Sequence, residues 1–236
     1  MPKKKLILLH GWAMHSAIWG DFAQQLAQNY DVTLIDLPPH ETLDKVTDAI
    51  IKTIDTPSFY LLGWSFGGTV ALNIAQRYQN RVQGIILIAA NPCFVACENW
   101  EGMPRETLEH FAAQFHENPN MTLQRFLALQ TQGSPKFLKE LKNCFAAKTI
   151  TDFAELEISL ALLKNSDLRD TFKNLTCEML VILSDNDALI PIQVATQLQT
   201  LKPNLRIHVL NEATHIPFIS QPQNCLTAIH TFLDVA

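Results

Sequence analysis

Gly63-Trp64-Ser65-Phe66-Gly67-Gly68 is the sharpest chemical signal in the chain. It matches G-x-S-x-G, in which a serine sits on a tight strand-to-helix turn and small neighbours let the backbone expose its hydroxyl. A hydroxyl is a weak nucleophile until a base takes its proton. Ser65 as nucleophile therefore requires a histidine and an acid elsewhere, and around this turn they follow in the order serine, acid, histidine. Ser184-Asp185-Asn186-Asp187-Ala188-Leu189-Ile190-Pro191 and Asn211-Glu212-Ala213-Thr214-His215-Ile216-Pro217-Phe218 supply both in that order. His215 is the candidate base, since its rival His208 falls inside an apolar strand pattern. Asp185 and Asp187 both stand as candidate acids on these residues alone. The chemistry such a set performs is acyl transfer through an oxyanion, which needs two backbone N–H donors. Phe66, directly after the serine at a helix N-terminus, and Trp12, in the loop His10-Gly11-Trp12, are the expected donors. His10 is expected to brace that loop.

These residues need elements to hold them. Short runs rich in Ile, Val and Leu predict strands at Leu6–Leu9, Val32–Ile35, Phe59–Leu62, Val82–Ile88, Met179–Leu183 and Leu205–Leu210. Several are apolar at nearly every position, as strands buried on both faces of a parallel sheet are. Helical patterns fall between them at Ala17–Gln28, Leu43–Ile54, Phe66–Tyr78, Gln193–Leu201 and Gln223–Phe232. The alternation predicts an α/β fold, a mostly parallel central sheet flanked by helices with right-handed crossovers. The acid and histidine loops then lie just beyond the C-terminal ends of strands, the edge where open α/β sheets place their sites.

From residue 91 to 170 no strand pattern appears. Leu108, Phe111, Ala112 and Phe115 follow helical spacing, as do Leu123, Phe126 and Leu127 with Gln130 as a polar last member. Pro104, Pro119 and Pro135 fall where helices start. The expected organisation is a core of residues 1–90 and 171–236 with a helical cap inserted at 91–170.

Apolar residues make up 47% of the 236, charged ones 17%, and the formal charge is −5, so neither nucleic acid nor a membrane surface is expected as partner. Met1-Pro2-Lys3-Lys4-Lys5 precedes only four apolar residues, short of the roughly 7–15 of a signal peptide. No apolar run approaches the ~20 residues of a membrane span, and a cytoplasmic monomer is expected. The five cysteines, Cys93, Cys97, Cys144, Cys177 and Cys225, read as buried or inert thiols in a reducing compartment. Cys93 and Cys97 lie four apart with no other ligand close in sequence, so no metal is expected. With no G-x-G-x-x-G after the first strand and no G-x-x-x-x-G-K-[ST], no nucleotide cofactor is expected either.

Over nearly its whole length the sequence resembles the BioH-type pimeloyl-[acyl-carrier-protein] methyl ester carboxylesterases of the α/β-hydrolase superfamily. The resemblance rests on Leu8-Leu9-His10-Gly11-Trp12, Asp36-Leu37-Pro38, the Ser65 turn, and Asn91-Pro92-Cys93-Phe94 with Trp100 following. It continues through Arg125-Phe126-Leu127-Ala128-Leu129-Gln130-Thr131 and Ala213-Thr214-His215-Ile216-Pro217-Phe218-Ile219-Ser220. It aligns Asp187, four before Pro191, with the family's orienting aspartate. It implies hydrolysis of the methyl ester of pimeloyl-acyl-carrier protein in biotin synthesis, without a cofactor. Substrate contacts would fall on Trp12, Ser65, Phe66, Phe126, Leu127, Ala128, Leu129, Gln130 and His215. Phe126, Leu127 and Leu129 suit an apolar acyl channel. Carrier-protein docking would fall on Arg125 and on Lys136, Lys139 and Lys142, which replace family arginines and lose their bidentate geometry; Met121 also stands at an arginine position. The loop after Asp36-Leu37-Pro38 is short and lacks the family's glycine-rich run, and the hairpin that usually precedes the first strand is not expected. Two other readings stand beside this one. The first is a general short-chain carboxylesterase, thioesterase or C–C hydrolase, and the second a non-catalytic ligand receptor.

Overall fold

In the computed structural model, six short aliphatic runs form strands β1 (Lys5–Leu9), β2 (Asp31–Ile35), β3 (Phe59–Trp64), β4 (Val82–Ile88), β5 (Glu178–Ser184) and β6 (Arg206–Leu210). All neighbours pair parallel in the order β2-β1-β3-β4-β5-β6. The structure describes residues 2–146 and 152–235. Residues 147–151 of the expected cap, and Met1 and Ala236 of the expected core, lie outside the described residues.

Successive side chains of a strand point to opposite faces, and that period sorts the core in two. Ile7, Leu9, Leu61, Leu87 and Val181 pack on one face, while Leu6, Leu8, Leu62, Ile86 and Ile182 pack on the other. Both faces are covered, so the strands read as continuous apolar runs rather than alternating ones.

The helices are α1 (Gly20–Ala27), α2 (Leu43–Thr53), α3 (Phe66–Arg77), α4 (Arg105–Glu117), α5 (Pro119–Gln130), α6 (Pro135–Ala146), α7 (Phe153–Asn165), α8 (Arg169–Asn174), α9 (Val194–Leu201), α10 (Pro217–Ser220) and α11 (Pro222–Val235). α2, α3, α8 and α9 supply the first face; α1 and α11 supply the second. The stretch expected as one helix over 17–28 is broken. A 3-10 turn at Ser16–Trp19 precedes α1, and Gly20 at the junction takes φ 35.

α4 to α7 fall between β4 and β5, where no strand pattern appeared. Local chemistry starts them: Asn118 accepts from Met121 N at 3.2 Å with Pro119 in the first turn of α5, and Asp152 accepts from Ala154 N at 2.8 Å ahead of α7. α4 packs on α5 and α7, and α6 packs on α5 and the 3-10 turn. α8, which spans the expected boundary at 170, packs instead on α3 and α9. Among the described residues no helix is long and apolar enough to cross a membrane.

Candidate active site

The strand ends are level. Leu9 pairs with Gly63, Trp64 and Ile182 with Ile88, and Ser184 with Leu210, so the loops after β1, β3, β5 and β6 leave one edge of the sheet together. Ser65 caps α3 with φ 52 and ψ −121, a conformation that side chains disfavour. It is held by Ser65 N donating to Ile88 O at 3.0 Å and Gly68 N donating to Ser65 O at 2.8 Å. A Cβ on Gly67 would sit 2.2 Å from Leu9 O, and one on Gly11 would sit 3.3 Å from Ser65 Cβ. The loop carrying Trp12 therefore lies directly against the serine, and α3 presses on the end of β1. Gly67→Ala is expected to lower stability by about 3 kcal/mol, since backbone cannot swing away as a side chain could. Chemical denaturation measures it.

His215 is fully buried, and Asp187 has a side chain 1% exposed. Nδ1 of His215 lies 3.0 and 2.8 Å from the two carboxylate oxygens. A carboxylate only accepts, so Nδ1 carries the proton and Nε2 presents its lone pair. Nε2 is buried without a hydrogen-bond partner among the described residues. Asp187 is itself fixed, because Oδ1 accepts from Leu189 N at 2.8 Å and Ile190 N at 3.1 Å. The histidine loop is tied to the serine turn by Trp64, whose Nε1 donates to His215 O at 2.8 Å. That contact joins residues 151 apart and has no signature in the sequence.

The rivals separate cleanly. Asp185 accepts from Glu212 N at 2.6 Å and so holds the turn where Glu212 takes φ 58; among the described residues the carboxylate partner of His215 is Asp187. His208 is exposed on edge strand β6. His10 accepts from Leu37 N at 3.0 Å through Nε2, tying the His10-Gly11-Trp12 loop to the loop after β2.

Above Ser65 lies an apolar cavity of about 70 Å³. Among its lining side chains only Ser65 and Thr107 carry oxygen. Trp12 is its aromatic hub. The ring stands edge-on to Phe111, Phe115 and Phe126 at 5.6, 5.3 and 5.1 Å, and its Nε1 donates to Leu156 O at 2.9 Å. A larger, more polar cleft lies across Trp12, with Asp36 and Glu155 on it and Ser65 absent from it.

Of the expected contacts on α5, Phe126 and Leu129 line the cavity. Leu127, Ala128 and Gln130 are not among the side chains that line it. Leu127 is fully buried on the opposite side of the helix, in the core that also holds Leu141 of α6. Leu127→Ala is expected to cost about 2–5 kcal/mol of stability with KM unchanged, whereas Phe126→Ala raises KM. Phe94, Met103, Leu108, Leu160 and Leu189 also line the cavity, and sequence reading missed them. They come from the β4–α4 loop, α4, α7 and the loop after β5, whose convergence no local pattern announces.

Arg125 on α5 and Lys136, Lys139 and Lys142 on α6 are exposed. Burial pushes the Cys93 and Cys225 thiols up to about 12. Among the described residues no three His, Cys, Asp or Glu side chains group as metal ligands would.

A parallel sheet with a strained serine after β3 and a buried His–Asp pair after β5 and β6 is the arrangement of the α/β-hydrolase fold, whose family pattern matches residues 4–222. The pimeloyl-[acyl-carrier protein] methyl ester esterase of Salmonella newport (strain SL254) is 34% identical, the match covering 96% of this chain and 92% of that protein; the one from Salmonella heidelberg (strain SL476) is 33% identical over the same shares. Among solved structures, an esterase from Exiguobacterium antarcticum superposes with a TM-score of 0.88 at 18% identity, covering 99% of this chain and 92% of that one, and shares the fold. The chain belongs to the α/β-hydrolase family and, within it, to the pimeloyl-[acyl-carrier protein] methyl ester esterases.

Proposed function

We propose that this carboxylic ester hydrolase cleaves the methyl ester of pimeloyl-acyl-carrier protein, with Ser65, His215 and Asp187 as its triad and α4 to α7 as a cap over the core. The observation that carries the triad is the bare, buried Nε2 of His215, its other nitrogen held by Asp187, beside the strained Ser65 turn. Ser65 Oγ attacks the ester carbonyl while His215 Nε2 takes its proton, and Asp187 holds the imidazolium. The amides of Trp12 and Phe66 receive the oxyanion, each worth about 10²–10³ in turnover. His215 then protonates departing methanol, and water hydrolyses the acyl-enzyme by the same route in reverse. The apolar cavity suits a seven-carbon acyl chain, whose polar carrier arm leaves through the mouth near exposed Leu129. Arg125, Lys136, Lys139 and Lys142 supply positive charge for an acidic carrier.

The test is growth without biotin of a bacterial strain lacking this esterase. The wild-type gene is expected to restore growth and Ser65→Ala to fail. A well-expressed wild type that fails, yet hydrolyses short esters, would be a general carboxylesterase. One that a fluorophosphonate probe does not label would be a receptor.

A further inference from the structure

An ester has two arms, and the cavity above Ser65 accounts for one. A second space, too tight as it stands for a water molecule, also touches Ser65. Asn91, just past β4, lies on it among Thr69, Ala90, Phe94, Leu163 and Ile190. Asn91 is 3% exposed, and neither Nδ2 nor Oδ1 has a hydrogen-bond partner among the described residues. A buried polar group left unpaired is costly, and buried polar atoms are satisfied in the great majority of cases. Here a donor and an acceptor are both bare in a pocket that shares the nucleophile. Ile190, which also walls this pocket, donates its N–H to Oδ1 of Asp187, the carboxylate that holds His215. The pocket thus sits on the acid side of Ser65, where a leaving group must depart.

We infer that Asn91 and its pocket form the alcohol subsite, seating the methoxy group and setting the preference for methyl over larger esters. The reading rests on the proposed esterase activity and adds the arm that activity leaves unassigned. Asn91 Nδ2–H donates to the alkoxy oxygen of the bound ester. As the tetrahedral intermediate collapses, the C–O bond breaks, the His215 Nε2 proton moves to that oxygen, and Oδ1 accepts the O–H of the methanol formed. The pocket is closed tightly around the amide, so a methyl group enters only as the Phe94 and Leu163 side chains give way. Larger alkyl groups require more than those side chains can yield.

The test compares kcat/KM for methyl, ethyl and butyl esters, on both pimelate and hexanoate, in wild type, Asn91→Ala and Asn91→Leu. Wild type is expected to favour methyl over butyl by about 10-fold or more, within the range that one methylene can impose in a tight pocket. Asn91→Ala opens the space and is expected to raise the butyl-to-methyl ratio about 10-fold while slowing methyl turnover. Asn91→Leu removes the amide without opening the space, so methyl turnover falls, the ratio does not rise, and the melting temperature holds or climbs. A ratio in Asn91→Ala within twofold of wild type overturns the inference. So does a drop in melting temperature for Asn91→Leu with all esters slowed alike, which would mark a structural amide. Wild type active on hexanoate but not pimelate esters sinks the proposed substrate alone, and the ratio still decides Asn91. Wild type inactive on every ester ends both.

Discussion

Ser65→Gly is expected to hydrolyse esters about 10⁶-fold more slowly than wild type, the scale of losing a triad nucleophile, and yet to unfold at a higher temperature. The serine is held at φ 52 and ψ −121, where side chains are strained by about 1–3 kcal/mol and glycine is not. Glycine returns part of that gain through its freer unfolded chain, about 0.5–1 kcal/mol. The net of about 1 kcal/mol corresponds to a rise of roughly 2–4 °C for a chain of this size. Ser65→Ala should lose the same activity with no such rise, because alanine keeps the Cβ. Calorimetry on the pair separates the two effects, and equal melting temperatures would show that the turn stores no strain.

Asp187→Asn is expected to reduce turnover about 10⁴-fold with little change in stability. The asparagine carbonyl can still accept from Leu189 N and Ile190 N, so the loop stays in place. Its NH₂ then faces Nδ1, which must accept, and the ring proton moves to Nε2. The lone pair that takes the Ser65 proton is gone. Asp185→Asn is the matched control: its carboxylate holds only the Glu212 amide, and activity should stay within a few-fold of wild type. A large loss in that control with none in Asp187→Asn would reverse the assignment of the acid.

The strands were legible because a parallel sheet covered on both faces leaves few polar positions on its central strands, so each apolar run stands out. The serine turn was legible for a different reason: Gly63 and Gly67 are required by backbone closer than a Cβ can tolerate. Between Asp185 and Asp187 spacing could not choose, since both sit in the same loop and only the direction of each carboxylate distinguishes them. Leu127 could not be placed from spacing because a period of 3.6 describes a broad stripe, and α5 buries both edges of its stripe in different cores. Phe126 faces the cavity and its neighbour, about 100° further round the helix, faces away. Asn91 showed its polarity in sequence, while its burial and its missing partners exist only in three dimensions.

Trp12 fastens roof to floor. Its backbone belongs to the loop pressed against Ser65, and its indole is bonded to the Leu156 carbonyl of α7 and wedged among three phenylalanine rings from α4 and α5. The helices overhead cannot lift without snapping that bond or dragging the loop along, and the loop carries one of the two amides assigned to the oxyanion. Any displacement of those helices is therefore expected to disturb that amide, and with it turnover.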